Sequence, residues 1–169
     1  MKFSYYGYNG LSELEWALDE FRLQVGEGKI DPQCREMDIT VMEPEDRLML
    51  ATDGGEIRGI TRYMHLGSRS NCRLAKPGFV KLFGMSSYDP SDVVYLKYIE
   101  SMRKGTGSRM LSSLKRRGDV DAVYLKPVDN EGVIGFYERN GFERGCYLSG
   151  NAGTVMVWKG SPASDRSFL

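Results

Sequence analysis

Hydrophobic positions along the chain fall into two kinds of pattern. Short runs rich in β-branched and aromatic residues predict strands, and apolar residues spaced three and four apart predict one face of a helix. Lys2 to Tyr8 reads as a first strand, ended by Asn9-Gly10. Leu14, Ala17, Leu18, Phe21 and Val25 then keep the helical spacing, so residues 13 to 25 form an amphipathic helix. Ser12-Glu13-Leu14-Glu15 marks its start as a capping box, with the Ser12 hydroxyl accepting from a first-turn amide while Glu15 reaches back. Gly26 and Gly28 stop it. Asp31-Pro32 predicts an N-cap and a short helix near Gln33 to Met37, while Ile39, Val41 and Met42 read equally well as the beginning of a strand. Arg47 to Thr52 and Glu56 to Leu66 flank Asp53-Gly54-Gly55 and form a hairpin. Gly67 to Ser91 is too long for a plain hairpin loop and reads as functional or disordered, with Lys81-Leu82-Phe83 as a short strand inside it.

The stretch from Val93 to Arg117 organises the rest. After the turn cluster Tyr88-Asp89-Pro90-Ser91, the residues Val93, Val94, Tyr95, Leu96 and Ile99 form a strand. A glycine-bearing turn follows, Ser101 to Ser108, and then Gly107, Met110, Leu111 and Leu114 take up helical spacing. Asp121 to Pro127 is a short strand centred on Ala122 to Leu125. Asn130, Val133, Ile134 and Tyr137 line one face of a helix that Asn140-Gly141-Phe142 closes with a glycine cap. Residues 143 to 148 and 154 to 158 form a last hairpin around Ser149 to Gly153. The order β-α-α-β-β-β-α-β-α-β-β is a mixed α/β fold in a single domain over residues 1 to 159. A flexible tail is expected over 160 to 169.

Composition narrows the class. A chain of 169 residues is one domain with room for a substantial core. Lys plus Arg and Asp plus Glu number 23 each, so no global field draws the chain to nucleic acid or membrane. Cys34, Cys72 and Cys146 are scattered and odd in number, which fits free thiols in a reducing compartment rather than a disulfide framework. With the single histidine His65 and no Cys-x-x-Cys pair, a structural zinc site lacks ligands, and no metal is expected. No apolar run approaches the roughly 20 residues of a membrane span, and the N-terminus is too short and aromatic for a signal peptide. The expectation is a soluble, cytoplasmic protein.

The turn after the organising strand has the outline of an anion site. The first N–H groups of a helix are unpaired, its dipole favours negative charge, and Gly105 and Gly107 admit a close approach of the backbone. Arg103, Lys104 and Arg109 add positive charge.

Arg103-Lys104-Gly105-Thr106-Gly107, followed by the segment from Asn130 through Tyr137 to Gly141-Phe142, resembles the Gcn5-related N-acetyltransferase superfamily over roughly residues 93 to 158. In that family the glycine loop cradles the pyrophosphate of acetyl-coenzyme A and the later segment packs along the pantetheine arm. The resemblance implies a mixed, mostly antiparallel central sheet and acetyl-CoA as co-substrate. It implies an acyltransferase that passes its acyl group to an amine by direct attack in a ternary complex. Arg103, Lys104, Gly105, Thr106, Gly107 and Ser108 become the phosphate-binding backbone, and Tyr98, Ile99 and Glu100 the place where the strand meets the pantetheine amides. Asn130 lies along the same arm, with a helix N-cap as its equal alternative. Tyr137 becomes the general acid for the departing thiolate, against a core aromatic with a satisfied hydroxyl. For the general base, Glu100 is the nearest carboxylate, against a solvent-facing charge, and His65 is the other titratable group. One position departs from the family pattern: Met102 stands where an Arg or Gln is usual, three residues before the first glycine.

Two leads on the acceptor point apart. Between Glu13 and Arg47 the acids Glu13, Glu15, Asp19, Glu20, Glu27, Asp31, Glu36, Asp38, Glu43, Glu45 and Asp46 read either as a rim selecting a cationic amine or as a solvated face. Arg69, Arg73, Lys76 and Lys81, with no acid among them, read as contacts for an acidic substrate, a nucleic acid backbone or the coenzyme itself. A nucleobase acceptor and a non-catalytic binding protein of the same fold are the competing readings. An edge strand near the C-terminus is where two subunits would pair as a homodimer.

Overall fold

A computed structural model describes residues 1–7, 19, 23, 26–27, 43–68, 88–145 and 155–160. Among the described residues there are seven strands: β1 (Lys2–Gly7), β2 (Asp46–Asp53), β3 (Glu56–His65), β4 (Val93–Ser101), β5 (Ala122–Leu125), β6 (Glu143–Gly145) and β7 (Val155–Lys159). The helices that bear on the site are α1 (Thr106–Lys115) and α2 (Glu131–Arg139). The predicted helix near Gln33 to Met37, the Lys81-Leu82-Phe83 strand, the Ser149 to Gly153 turn and residues 161–169 lie outside the described residues, as does most of the helix at 13 to 25. Within that last helix Asp19, Leu23 and Gly26 are helical. Leu23 stands off the predicted apolar face and is exposed, and Glu27 N–H donates to the Leu23 carbonyl at 2.9 Å, so the helical turn runs through Gly26 instead of stopping before it.

The strands hydrogen-bond in the order β1-β2-β3-β4-β5-β7-β6. The pairs β1–β2, β5–β7 and β6–β7 are antiparallel, and β4–β5 is parallel. The sheet is therefore mixed and mostly antiparallel, as expected. The parallel pair follows from connectivity, because α1 carries the chain back so that β5 can run in the same direction as β4. The β2–β3 connection is tight because Gly54 and Gly55 adopt φ of +62° and +87°. No helix among the described residues is long and apolar enough to cross a membrane.

The chain packs as two compact units, residues Met1–Tyr63 with Tyr98–Met110, and Met64–Lys97 with Leu111–Leu169. In the first, Leu48, Met49, Leu50, Ala51, Ile57, Ile60 and Met110 are buried. The same unit buries an ion pair, Asp46 at 0% and Arg62 at 8% exposure. Arg62 Nε donates to Asp46 Oδ2 at 2.9 Å, Nη2 donates to the same oxygen, and Glu43 N–H adds a third bond at 2.9 Å. In the second unit Leu66, Val93, Ala122, Tyr124, Val155 and Val157 form the core, and Tyr95 stacks on Tyr124 with ring centroids 4.7 Å apart. Gly160, read from sequence as the first residue of a fraying tail, is pinned instead. Its N–H donates to Asp121 O and its carbonyl accepts from Tyr88 OH, both at 2.7 Å.

Candidate functional site

In the first unit the site is built from the end of β4, the turn after it and the first turn of α1. The β4–β5 register ends at Leu96 opposite Leu125, whereas β4 itself continues through Lys97 to Ser101. This continuation carries Tyr98, Ile99 and Glu100. Tyr98 and Glu100 are two apart and share a face, and the Tyr98 hydroxyl donates to Glu100 Oε2 at 3.1 Å. Beyond Ser101, Met102 N–H still donates to the Arg58 carbonyl of β3 at 3.1 Å, after which the chain turns. Gly105 makes the turn at φ +83°. A Cβ there would meet nothing within 4 Å, so glycine is required for its dihedral and not for space.

The amides of the turn divide into used and unused. Thr106 N–H donates to Arg103 O at 3.0 Å, Arg109 N–H to Gly105 O at 3.2 Å, and Gly107 N–H to the Ser101 hydroxyl at 3.2 Å. No described residue accepts from the N–H of Lys104, Gly105 or Ser108. These three donors sit at the positive end of a ten-residue helix, where an anion is favoured. Lys104 is exposed beside them. The Arg103 guanidinium is directed elsewhere, to Asp53 Oδ2 at 3.3 Å. Thr106 is buried, and among the described residues its hydroxyl has no hydrogen-bond partner.

Gly59 on β3 makes this arrangement possible. A Cβ at Gly59 would lie 2.5 Å from Met110 Sδ and 3.0 Å from both the Glu100 carbonyl and Thr106 Cγ2. Only a residue without a side chain lets β3 pass so close to the end of β4 and the start of α1.

In the second unit Asn130 caps α2, its Oδ1 accepting from Gly132 N–H at 2.9 Å and Val133 N–H at 3.3 Å. Gly141, at φ +78°, closes the helix as predicted, with Gly141 N–H donating to Glu138 O and Phe142 N–H to Tyr137 O. Tyr137 is buried and meets Phe136 and Phe142 edge to face at 5.1 and 5.5 Å between centroids. Burial pushes its phenol up to about 12. Lys115, at the end of α1, lies over the Phe142 and Trp158 rings at 4.4 and 5.0 Å and donates to the Asn140 carbonyl. Its partial burial still pushes the ammonium down to about 8. His65 Nδ1 lies 2.7 Å from the Ser91 carbonyl, to which it donates, and Nε2 lies 3.7 Å from Asp119 Oδ2. Bidentate contact from Arg117 holds the Asp119 carboxyl below its usual range. The imidazole therefore braces the turn before β4 against the loop before β5.

No family profile and no curated protein matches the sequence. Solved structures do match. Tetrahymena Gcn5 aligns over 96% of this chain and 98% of its own, with a TM-score of 0.59 and 12% identity. This chain has the Gcn5-related N-acetyltransferase fold. An aminoglycoside 6'-acetyltransferase type Ii is similar over 96% of this chain and 99% of its own, with a TM-score of 0.52 at 18% identity. The CoA-dependent acyl-homoserine lactone synthase MesI is similar over 92% and 86%, with a TM-score of 0.51 at 12% identity.

Within this acetyltransferase fold the residues singled out from sequence separate into groups. Tyr98, Ile99, Glu100 and the turn from Arg103 to Ser108 are brought together, although Gly107 N–H is already engaged by Ser101. Asn130 takes its N-cap alternative, and His65 is occupied by Ser91 and Asp119. Asp46, counted in the acidic rim, is not on the surface: it is buried against Arg62, which lies sixteen residues away on the adjacent strand. Asp19 and Glu27 are exposed. Arg69, Arg73, Lys76 and Lys81, the three cysteines and the remaining acids from Glu13 to Asp38 lie outside the described residues. Among the described residues no group of three or more His, Cys, Asp or Glu side chains is placed to hold a metal ion. Gly59, Ser101 and Asp53 were not singled out from sequence. A lone glycine inside a strand pattern was the available signal for Gly59.

Proposed function

We propose that the chain is an acyl-CoA-dependent acyltransferase that passes an acetyl group to an amine. The coenzyme pyrophosphate would lie on the turn from Arg103 to Ser108. The observation that carries the reading is the set of three unengaged amides, Lys104, Gly105 and Ser108, presented by Gly105 in its left-handed conformation at the N-terminus of α1. An aminoglycoside acetyltransferase and a CoA-dependent synthase on the same fold support acyl transfer from CoA, and the former supports an amine acceptor. In the reaction the amine nitrogen bonds to the thioester carbonyl carbon and the carbon–sulfur bond breaks. One proton must leave the amine and one must reach the thiolate. Glu100, oriented by the Tyr98 hydroxyl, is assigned the first task.

Tyr137 is assigned the second. With its phenol at about 12, it holds its proton through the neutral range, as a donor must, and adds no alkaline limb to the rate below about pH 11. Tyr137→Phe is expected to lower kcat roughly tenfold or more while leaving the KM for acetyl-CoA within about twofold. An unchanged kcat would return Tyr137 to the role of a core aromatic.

The direct test of the reading is thermal unfolding with and without acetyl-CoA. At about 100 times its dissociation constant a native-state ligand stabilises by roughly 2.7 kcal/mol, which for a chain of this length raises Tm by roughly 5–10 °C. A folded protein whose Tm does not move with acetyl-CoA at millimolar concentration would leave only the non-catalytic alternative.

A further inference from the structure

The turn that would hold phosphate has no Arg or Gln three residues before its first glycine, and a different side chain orders its backbone. Met102 has a thioether with no N–H or O–H to offer, and its backbone N–H is spent on Arg58. Arg103 turns its guanidinium to Asp53. Ser101, the last residue of β4, is the side chain that closes on the turn. Its hydroxyl donates to the Arg103 carbonyl at 2.8 Å and accepts from Gly107 N–H at 3.2 Å.

We infer that Ser101 is a positioning residue for the phosphate-binding turn, holding the Arg103 carbonyl and the Gly107 amide so that the Lys104, Gly105 and Ser108 amides face the anion. This rests on the coenzyme reading above and names the group that organises that site. An exposed carbonyl oxygen in a turn carries partial negative charge and opposes an incoming phosphate. The Arg103 oxygen is held by two donors, the Ser101 hydroxyl at 2.8 Å and Thr106 N–H at 3.0 Å, which fix its direction and use its lone pairs. The same hydroxyl caps Gly107 N–H in the first turn of α1, so the helix begins in one conformation whether or not an anion is present. Ser101 acts through the backbone and need not touch the coenzyme.

The test compares acetyl-CoA with S-acetylpantetheine, which carries the same thioester and arm without phosphate. Ser101→Ala is expected to raise the Kd for acetyl-CoA about tenfold, with kcat at saturation within about twofold and the weaker binding of S-acetylpantetheine unchanged. Ser101→Thr, which keeps the hydroxyl, restores acetyl-CoA binding to within about threefold. Ser101→Cys fills the same volume with a poor donor and acceptor; it should match the alanine variant and serves in its place if that variant does not fold. Faster hydrogen exchange at the Gly107 amide in the alanine variant reports loss of the cap without reference to activity. The inference is overturned if Ser101→Ala and Ser101→Cys bind acetyl-CoA as the wild type does, or if they lose S-acetylpantetheine to the same extent. A wild-type protein that binds neither compound overturns the coenzyme reading and this inference together, so the two failures are distinguishable.

Discussion

Arg62→Met is expected to destabilise the protein by about 3–5 kcal/mol and to lower Tm by roughly 10 °C, with the heat-induced transition as the measurement. Asp46 is fully buried, and its Oδ2 accepts from Arg62 Nε, Arg62 Nη2 and Glu43 N–H. Removing the guanidinium leaves an ionised carboxylate at a fully buried position, with much of its desolvation cost uncompensated. The cost of breaking the pair is larger than the net value of the pair itself, because separating two buried charges and removing both are different operations. The double replacement Asp46→Leu with Arg62→Met should therefore recover a large part of the loss. A shortfall will remain, since Asp46 also fixes the turn into β2 through its Oδ2 bond to Glu43 N–H. If Arg62→Met alone melts within about 2 °C of the wild type, the buried pair is not holding the first unit together.

What could be read from the chain and what could not divide by range of interaction. The apolar run at Val93 to Leu96 announced a buried strand, Gly54-Gly55 a tight hairpin, and Asn130 with Gly141 both ends of α2, because each depends on propensity and backbone chemistry within a few residues. Gly105 was marked from sequence for a close approach of the backbone, whereas its φ of +83°, with open space where a Cβ would stand, makes the dihedral the reason for glycine. The Asp46–Arg62 pair was invisible because it exists only once two strands are in register. Without that register Asp46 looks like one more surface acid. Gly59 acquires its meaning only when β3 lies against the Glu100 carbonyl and Met110, and Arg103 meets Asp53 only when the hairpin tip reaches the turn. His65 was a fair candidate base on chemistry alone; the Ser91 carbonyl and Asp119 that occupy it come from two other loops. Ser101 stood next to the position where the family pattern fails, yet nothing local indicates that its hydroxyl reaches Gly107.

Gly105→Val is expected to weaken acetyl-CoA at least about a hundredfold while lowering stability by only about 2 kcal/mol. At φ +83° an L-residue costs roughly 1–2 kcal/mol, and β-branching makes that conformation worse. The surroundings do not decide the outcome, since a Cβ at this position meets nothing within 4 Å. The strain can be relieved by rotating the peptide planes on either side, which turns the Lys104 and Gly105 N–H groups away from the anion. Hydrogen bonds to charged groups are worth about 1.5–3 kcal/mol each, so losing two of them exceeds the roughly 2.7 kcal/mol of a hundredfold change. Gly105→Asn separates dihedral from bulk, because asparagine tolerates left-handed backbone far better than valine. It should keep binding within about tenfold of the wild type. Titration calorimetry with acetyl-CoA and melting of the same preparations give both quantities. Valine binding as tightly as glycine would remove the turn from the coenzyme site, whereas equal losses for asparagine and valine would move the cause from the dihedral to the side chain itself.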